Sequence, residues 1–308
     1  MAAGLSEGAD VVFDVAAVDA QQTSFDRAFA PEASPDATRV TALDLHDALD
    51  AIELAVTPVA ALLRGADASH SAECVPRLTW SMGETAAHLV HITGGFGDMA
   101  WGVPREEATL TFDQISSINW RGIRAVGTTD PVELADALEA ATDRAVSGFR
   151  ALDGDRRLPY VAGFSVSAAT AAGMFLGELL VHGYDIARVL DKPYTIDPAD
   201  ARLVLAAATE LAPHRVDRRN ARGLTATYGI TVRGGERYLF VFERGMLAVK
   251  PWSPDARIDC HFSAEPVAML LVGYGRIGWV LPTLRGELRS WGRRPWLGRR
   301  YQRLLLRP

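Results

Sequence analysis

Along this chain the apolar positions change period about two thirds of the way through. Over roughly 42–190 they recur at helical spacing. A last helical stretch covers 200–212, and beyond it apolar and polar residues alternate as in strands. The first part holds four helical segments. DLHDALDAIELAVTPVAALL, about 42–65, carries Pro58 as an expected kink. SMGETAAHLVHITGGFGDMAWG opens on a capping box, with Ser81 followed three residues later by Glu84. DPVELADALEAATDRAVSGFRAL places Asp130 at the cap, Pro131 at the first helical position and Glu133 at the third. The fourth helix starts near Ser165 or Ser167 and runs to about Leu190, where Asp191, Lys192 and Pro193 stop it. A long connection, about 103–129, separates the second helix from the third. Four helices with one long crossover predict a four-helix bundle.

Past a boundary expected at 196–200, TATYGITVRGGERYLFVFERGMLAVKP alternates, with turns at GGE and RGM. Helices are expected around 264–273 and 282–291. The fold class is therefore an α plus α/β mix in three stretches. Residues 1–40 are an Ala/Asp/Ser/Pro-rich N-terminal extension, 41–198 the helical bundle and 199–308 a smaller α+β domain.

Length and composition fit this picture. The 308 residues are 48% hydrophobic and 23% charged, ordinary for a soluble protein of two domains. The net charge of −6 offers no global basic footprint, so no nucleic acid is expected as partner. The charge is uneven, however. Residues 1–50 hold ten acids and two arginines, and residues 285–308 hold eight arginines and one acid, Glu287. The basic end reads either as solvated surface or as a patch for an anionic ligand, partner or membrane surface. Two cysteines make no disulfide framework or zinc motif. The N-terminus lacks a basic n-region, and the longest apolar run, PVAMLLVGYGRIGWVLP, is interrupted by Arg276 and by glycines. A cytoplasmic protein without a membrane span is expected, as a monomer or homodimer.

The candidate chemistry lies in GELLVHGYDIARVLDKP, residues 177–193. Glu178 and His182 are i,i+4 and Asp185 follows at i+3, so all three fall within about 60° of one face of an otherwise apolar helix. Taken alone, a Glu–His pair at this spacing contributes only about 0.2–0.5 kcal/mol and needs no function. A buried carboxylate beside an imidazole, though, is costly unless paired or bound to a metal. In the second helix, AAHLVHI sets His88 among apolar neighbours. A lone histidine there would be an ordinary core residue. Converging with Glu178 and His182 in a bundle core, it would complete a three-ligand site with an open position. Asp185 is then placed to orient an imidazole, and His91 is the rival ligand. Trp80, Trp101 and Trp120 are candidates for pocket lining or for core packing.

WSMGETAAHL (Trp80 to Leu89) and GELLVHGYDIA (Gly177 to Ala187) together resemble the mycothiol-dependent maleylpyruvate isomerase family, within the wider DinB-like superfamily. The likeness covers roughly 42–200. DCHFS (Asp259 to Ser263) and VAMLLVGYGR (Val267 to Arg276) are similar to the sterol-carrier-like domain that follows in that family. The resemblance implies a divalent metal, usually zinc, held by His88, Glu178 and His182, with mycothiol as the thiol cofactor. It also implies that Arg276 binds or polarises an anionic substrate. Arg276 and Asp185 are the expected catalytic residues, and Arg276 and Trp80 the expected cofactor-binding ones. The extension 1–40 and the tail WGRRPWLGRR fall outside the family's pattern. The expected activity is attack of a metal-activated thiolate on an electrophilic small molecule, as in a thiol S-transferase. The alternatives are a cis–trans isomerase of the maleylpyruvate type, or a non-catalytic protein binding a hydrophobic ligand or a metal.

Overall fold

The computed structural model describes residues 41, 43–104, 114–160 and 163–306; the N-terminal extension and part of the long connection lie outside them. Four long helices form the bundle: α1 (Leu45–Arg64), α2 (Met82–Ala100), α4 (Pro131–Arg150) and α5 (Ala168–Val189). Helices α1 and α2 each pack against both α4 and α5. Their starts follow the side chains at their caps. The Asp44 carboxylate accepts from the amides of His46 and Asp47, and Asp130 accepts from those of Val132 and Glu133. At α2 the capping box is complete: Ser81 Oγ accepts from the Glu84 amide, and Glu84 returns the bond to the Ser81 amide. For α5 the cap is Ser167, which accepts from Thr170. Ser165 instead belongs to a short hairpin, β1 (Arg157–Pro159) with β2 (Ser165–Ser167).

Helix α1 continues as helix through Pro58, the position of the expected kink. Proline removes a bond to the carbonyl four residues back, at Leu54, and Leu54 is 75% exposed. Water can serve that carbonyl, so the helix tolerates the loss. The connection over 103–129 is no plain crossover: it contains α3 (Ile115–Val126), ended by Gly127 at φ +78° and packed on α2. ISSINWRGIRAV has a narrow apolar stripe of Ile118 and Ile123, which is easy to miss beside the longer helices.

Helix α6 (Pro198–Leu211) lies on α5, and its Ala201, Val204, Ala207 and Leu211 join the bundle core. After a short turn and α7 (Arg218–Ala221) comes a five-stranded sheet in the order β5-β4-β3-β6-β7. Strands β3 (Ala226–Val232), β4 (Arg237–Glu243) and β5 (Met246–Pro251) form an antiparallel meander. The expected turns are there. Gly234 has φ +72°, while Arg244 and Gly245 both take positive φ, as a tight two-residue hairpin requires. Strand β6 (Cys260–Ala264) pairs parallel to β3, so a crossover puts it at the meander's inner edge. Helix α8 (Pro266–Gly273) follows. The helix expected over 282–291 is a correction: α9 spans only Val280–Leu284, Gly286 turns the chain at φ +71°, and β7 (Leu288–Trp291) adds antiparallel to β6. In LRSW only Leu288 is buried, so no alternation betrayed the strand. Short α10 (Leu297–Tyr301) closes the second core, stacking Tyr301 against Phe262 near Tyr228 and Phe240.

Helix α8 ties the two cores together. Leu270 and Leu271 belong to the bundle core, and Ala268 to the core of the sheet. Its end is a Schellman motif, in which the Arg276 amide bonds back to the Leu271 carbonyl and that of Gly275 to Val272. Gly275 takes φ +74° there. The chain thus reverses sharply and Arg276 is directed at the bundle.

The α5–α6 contact depends on a glycine. A Cβ on Gly173 would lie 2.7 Å from Ala207 Cβ and 3.3 Å from the Leu203 carbonyl oxygen, with no flexible side chain able to yield. Gly173→Ala should therefore destabilise the protein by about 1–3 kcal/mol, the usual cost of overpacking, as read by chemical denaturation. Unchanged stability would mean that the two helices do not approach this closely.

Candidate metal centre

His88 is carried by the second turn of α2, one helical stretch past the Ser81–Glu84 box. Glu178, His182 and Asp185 project from one face of α5. Glu178 Oε2 lies 3.4 Å from His88 Nε2 and 3.4 Å from His182 Nε2. The three donor atoms all fall within 4.8 Å of one another. Bonds of about 2.0–2.2 Å to a tetrahedral ion set donors roughly 3.3–3.6 Å apart. Two imidazole nitrogens and one carboxylate oxygen at these spacings fit a divalent ion such as zinc. They also leave coordination positions for something other than protein.

The tautomer of His182 suits this role. Its Nδ1 is 3.0 Å from Asp185 Oδ2, so a proton on Nδ1 is held by the carboxylate and the Nε2 lone pair faces the other ligands. Asp185, 1% exposed, is held in turn by Arg276: Nε donates to both carboxylate oxygens at 3.0 Å and Nη2 donates to Oδ2 at 2.7 Å. The remaining guanidinium nitrogen, Nη1, donates to the Tyr274 carbonyl at 2.8 Å. All three nitrogens of Arg276 are therefore engaged by the protein. Arg276 and Asp185 stand behind His182, where they position it.

Electrostatics follow the same chain of contacts. Burial opposes ionisation of Glu178, but the hydrogen bonds to His182 and His88 outweigh it and hold the carboxyl below the usual range. Asp185 behaves alike: burial pushes its pKa up, and His182 and Arg276 bring it down overall. For His182, burial disfavours the charged ring, yet Asp185 and Glu178 raise its pKa above the ordinary value. His88 differs. Burial dominates and lowers it. Its Nδ1 is buried and makes no hydrogen bond among the described residues.

Trp80, just ahead of the capping box, covers both imidazoles, its ring 4.7 Å from that of His88 and 6.3 Å from that of His182. Trp120 on α3 meets Trp80 edge-on at 6.2 Å. Trp101 is not part of this cluster: it is 55% exposed, with its indole N–H donated to the Arg144 carbonyl. His91, the rival ligand, packs its ring against Gly122 of α3 and is outside the three-donor group.

Sequence reasoning missed the apolar cavity beside this centre. About 170 Å³ in volume, it lies between α6, α8 and the sheet, lined by Val204, Phe240, Phe262, Met269, Tyr301 and Tyr274. Arg215 supplies its charge. Tyr274 links cavity and centre, since a Cβ on Gly177, next to Glu178, would come 2.9 Å from the Tyr274 hydroxyl. Burial, with a smaller contribution from the Glu178 carboxylate, raises the Tyr274 pKa. Arg215 lies in no motif with a chemical reading, and Tyr274 sits in the VGYGR stretch, where only Arg276 drew attention; only folding brings the two toward Glu178.

No curated protein matches the chain by sequence. Two solved structures share its fold over 80% of its length and 93% of theirs. One is a mycothiol-dependent maleylpyruvate isomerase, 16% identical with a TM-score of 0.51. The other is a point mutant of a mycothiol-dependent maleylpyruvate isomerase, 14% identical with a TM-score of 0.50. Among the described residues, no helix is long and apolar enough to cross a membrane. Residues 52–187 match the domain family described as "Mycothiol maleylpyruvate isomerase N-terminal domain", a span that includes His88, Glu178, His182 and Asp185. The helical part of the chain is thus similar to the mycothiol maleylpyruvate isomerase N-terminal domain family over residues 52–187.

Proposed function

We propose that this protein is a metal-dependent, mycothiol-using enzyme that delivers the thiol sulfur to an electrophilic small molecule, as a thiol S-transferase. The observation that carries the proposal is the convergence of His88 Nε2, Glu178 Oε2 and His182 Nε2 at spacings suited to one divalent ion. A divalent ion in this position supplies Lewis acidity that keeps a coordinated thiol deprotonated at neutral pH. The protein's own groups do the rest. Asp185 keeps the proton on His182 Nδ1 so that Nε2 stays free to bind. Arg276 keeps Asp185 ionised and in place. Trp80 shields both imidazoles from water on one side. Arg215, which lines the cavity, supplies positive charge that favours an anionic substrate, while the apolar lining takes the body of the substrate. An isomerase of the maleylpyruvate type fits the same residues, because it begins with the same thiolate and differs only in expelling the thiol afterwards.

The apolar cavity favours a second reading, in which the α+β part binds a hydrophobic ligand without turnover. Binding of an environment-sensitive apolar dye that survives removal of metal, in a protein inert to every thiol and electrophile, would support it over the enzyme.

Three results are expected. Metal analysis of the purified protein should find about one divalent ion per chain, lost in His88→Ala and His182→Ala; full retention in both would remove the site. Asp185→Asn should weaken metal binding by about 10–100-fold, as loss of an outer partner of a ligating histidine does, measured by chelator competition. Arg276→Ala should cost about 3–5 kcal/mol in denaturation, since it leaves the Asp185 carboxylate buried without its cation. The reaction itself is tested by incubating metal-loaded protein with mycothiol and a panel of electrophiles, followed by mass spectrometry. A stable S-conjugate identifies the transferase, and a product of unchanged mass but altered geometry identifies the isomerase. No change with any thiol contradicts both.

A further inference from the structure

The described residues include twelve large hydrophobic side chains exposed at the surface, and six of them fall between positions 279 and 296: Trp279, Val280, Leu281, Leu284, Trp291 and Trp296. Leu284 is 80% exposed. Helix α9 presents Val280, Leu281 and Leu284, at i, i+1 and i+4, outward together. Arginines surround this apolar turn. Arg285 ends α9; Arg289 folds back so that its Nε donates to the Gly286 carbonyl; Arg299 of α10 places its guanidinium 5.8 Å from the Trp279 ring. Trp296, one turn before Arg299 on α10, extends the patch.

We propose that the Trp279–Leu284 turn and its arginines form a docking surface for an anionic lipid bilayer. Charge and chemistry both point there. Residues 285–308 carry eight arginines and one acid in a protein whose net charge is −6. This end of the chain is thus strongly basic, and an exposed surface that pairs arginines with apolar side chains is attracted to a negative one. Tryptophan and arginine suit the headgroup region, the first through its amphipathic ring and the second through a long stem with a charged tip. Leu281 and Leu284, exposed on the same turn, are suited to the acyl boundary, as in helices that lie in the interface plane. A second copy of the chain is a poor occupant, because a two-fold contact sets the same patch against itself and brings arginine against arginine. Nucleic acid would engage the arginines and leave the exposed leucines without apolar contact.

The test is flotation of the full-length, metal-loaded protein with vesicles. One set is of phosphatidylcholine mixed with phosphatidylglycerol, the other of phosphatidylcholine alone. Binding is expected to the mixed vesicles only, and to weaken as salt is raised. Leu281→Gln with Leu284→Gln should lower the partition coefficient roughly tenfold through lost apolar insertion. Arg285→Gln with Arg289→Gln should lower it roughly 25-fold, about fivefold for each cation removed from an anionic surface. All four positions are exposed, so the variants should fold, and unaltered melting curves verify this. Equal binding to both vesicle types, no binding to either, or binding that both double variants leave unchanged would overturn the proposal. So would a concentration-dependent dimer that the leucine variant abolishes, which would assign the patch to a second copy.

Discussion

A carboxylate removed from water must be met by donors and positive charge, and the arrangement around Asp185 follows from that need. Asp185 comes from the bundle and Arg276 from the chain reversal after α8, so the pair joins the two parts of the protein inside one buried contact. Its carboxylate has a second task, the proton on His182 Nδ1. Placement of a metal-facing nitrogen on α5 thus depends on a turn 91 residues away in sequence. The Schellman end of α8 and the left-handed Gly275 are local devices that make this reach possible.

The ligand set itself is an economical use of helix geometry. Helix α5 contributes two donors because residues four apart share a face, and α2 contributes the third across the bundle. Both histidines present Nε2, and Glu178 bridges them at equal distances. The imidazoles differ in their surroundings. His182 is anchored through Nδ1 to an ionised partner, whereas His88 is positioned by packing beneath Trp80. His182 is therefore the more tightly held of the two imidazoles.

Much of this was legible in the residues. Caps at Ser81 and Asp130 and the stop after Leu190 read correctly because they are local, resting on hydrogen bonds within four residues. The His88–Glu178–His182 group was legible because each residue is a polar exception on an apolar face, where burial demands a reason. The elements that escaped lack such local signatures. Helix α3 has a thin apolar stripe inside a long connection, and β7 has a single buried residue, Leu288. Arg276 was visible as a residue and not as a partner, for its pairing with Asp185 depends on how α8 docks. The cavity was invisible for the same reason: Val204 comes from a bundle helix and Phe240 from the sheet, and no sequence period relates them.

The central claim is that one divalent ion is held by these three side chains. The direct measurement is a crystal structure of the metal-loaded protein with anomalous diffraction recorded on both sides of the metal's absorption edge. The account predicts a single strong anomalous peak about 2.0–2.2 Å from His88 Nε2, Glu178 Oε2 and His182 Nε2, with His182 Nδ1 still on Asp185. A peak on other residues, or none in this place with metal present in excess, would contradict it.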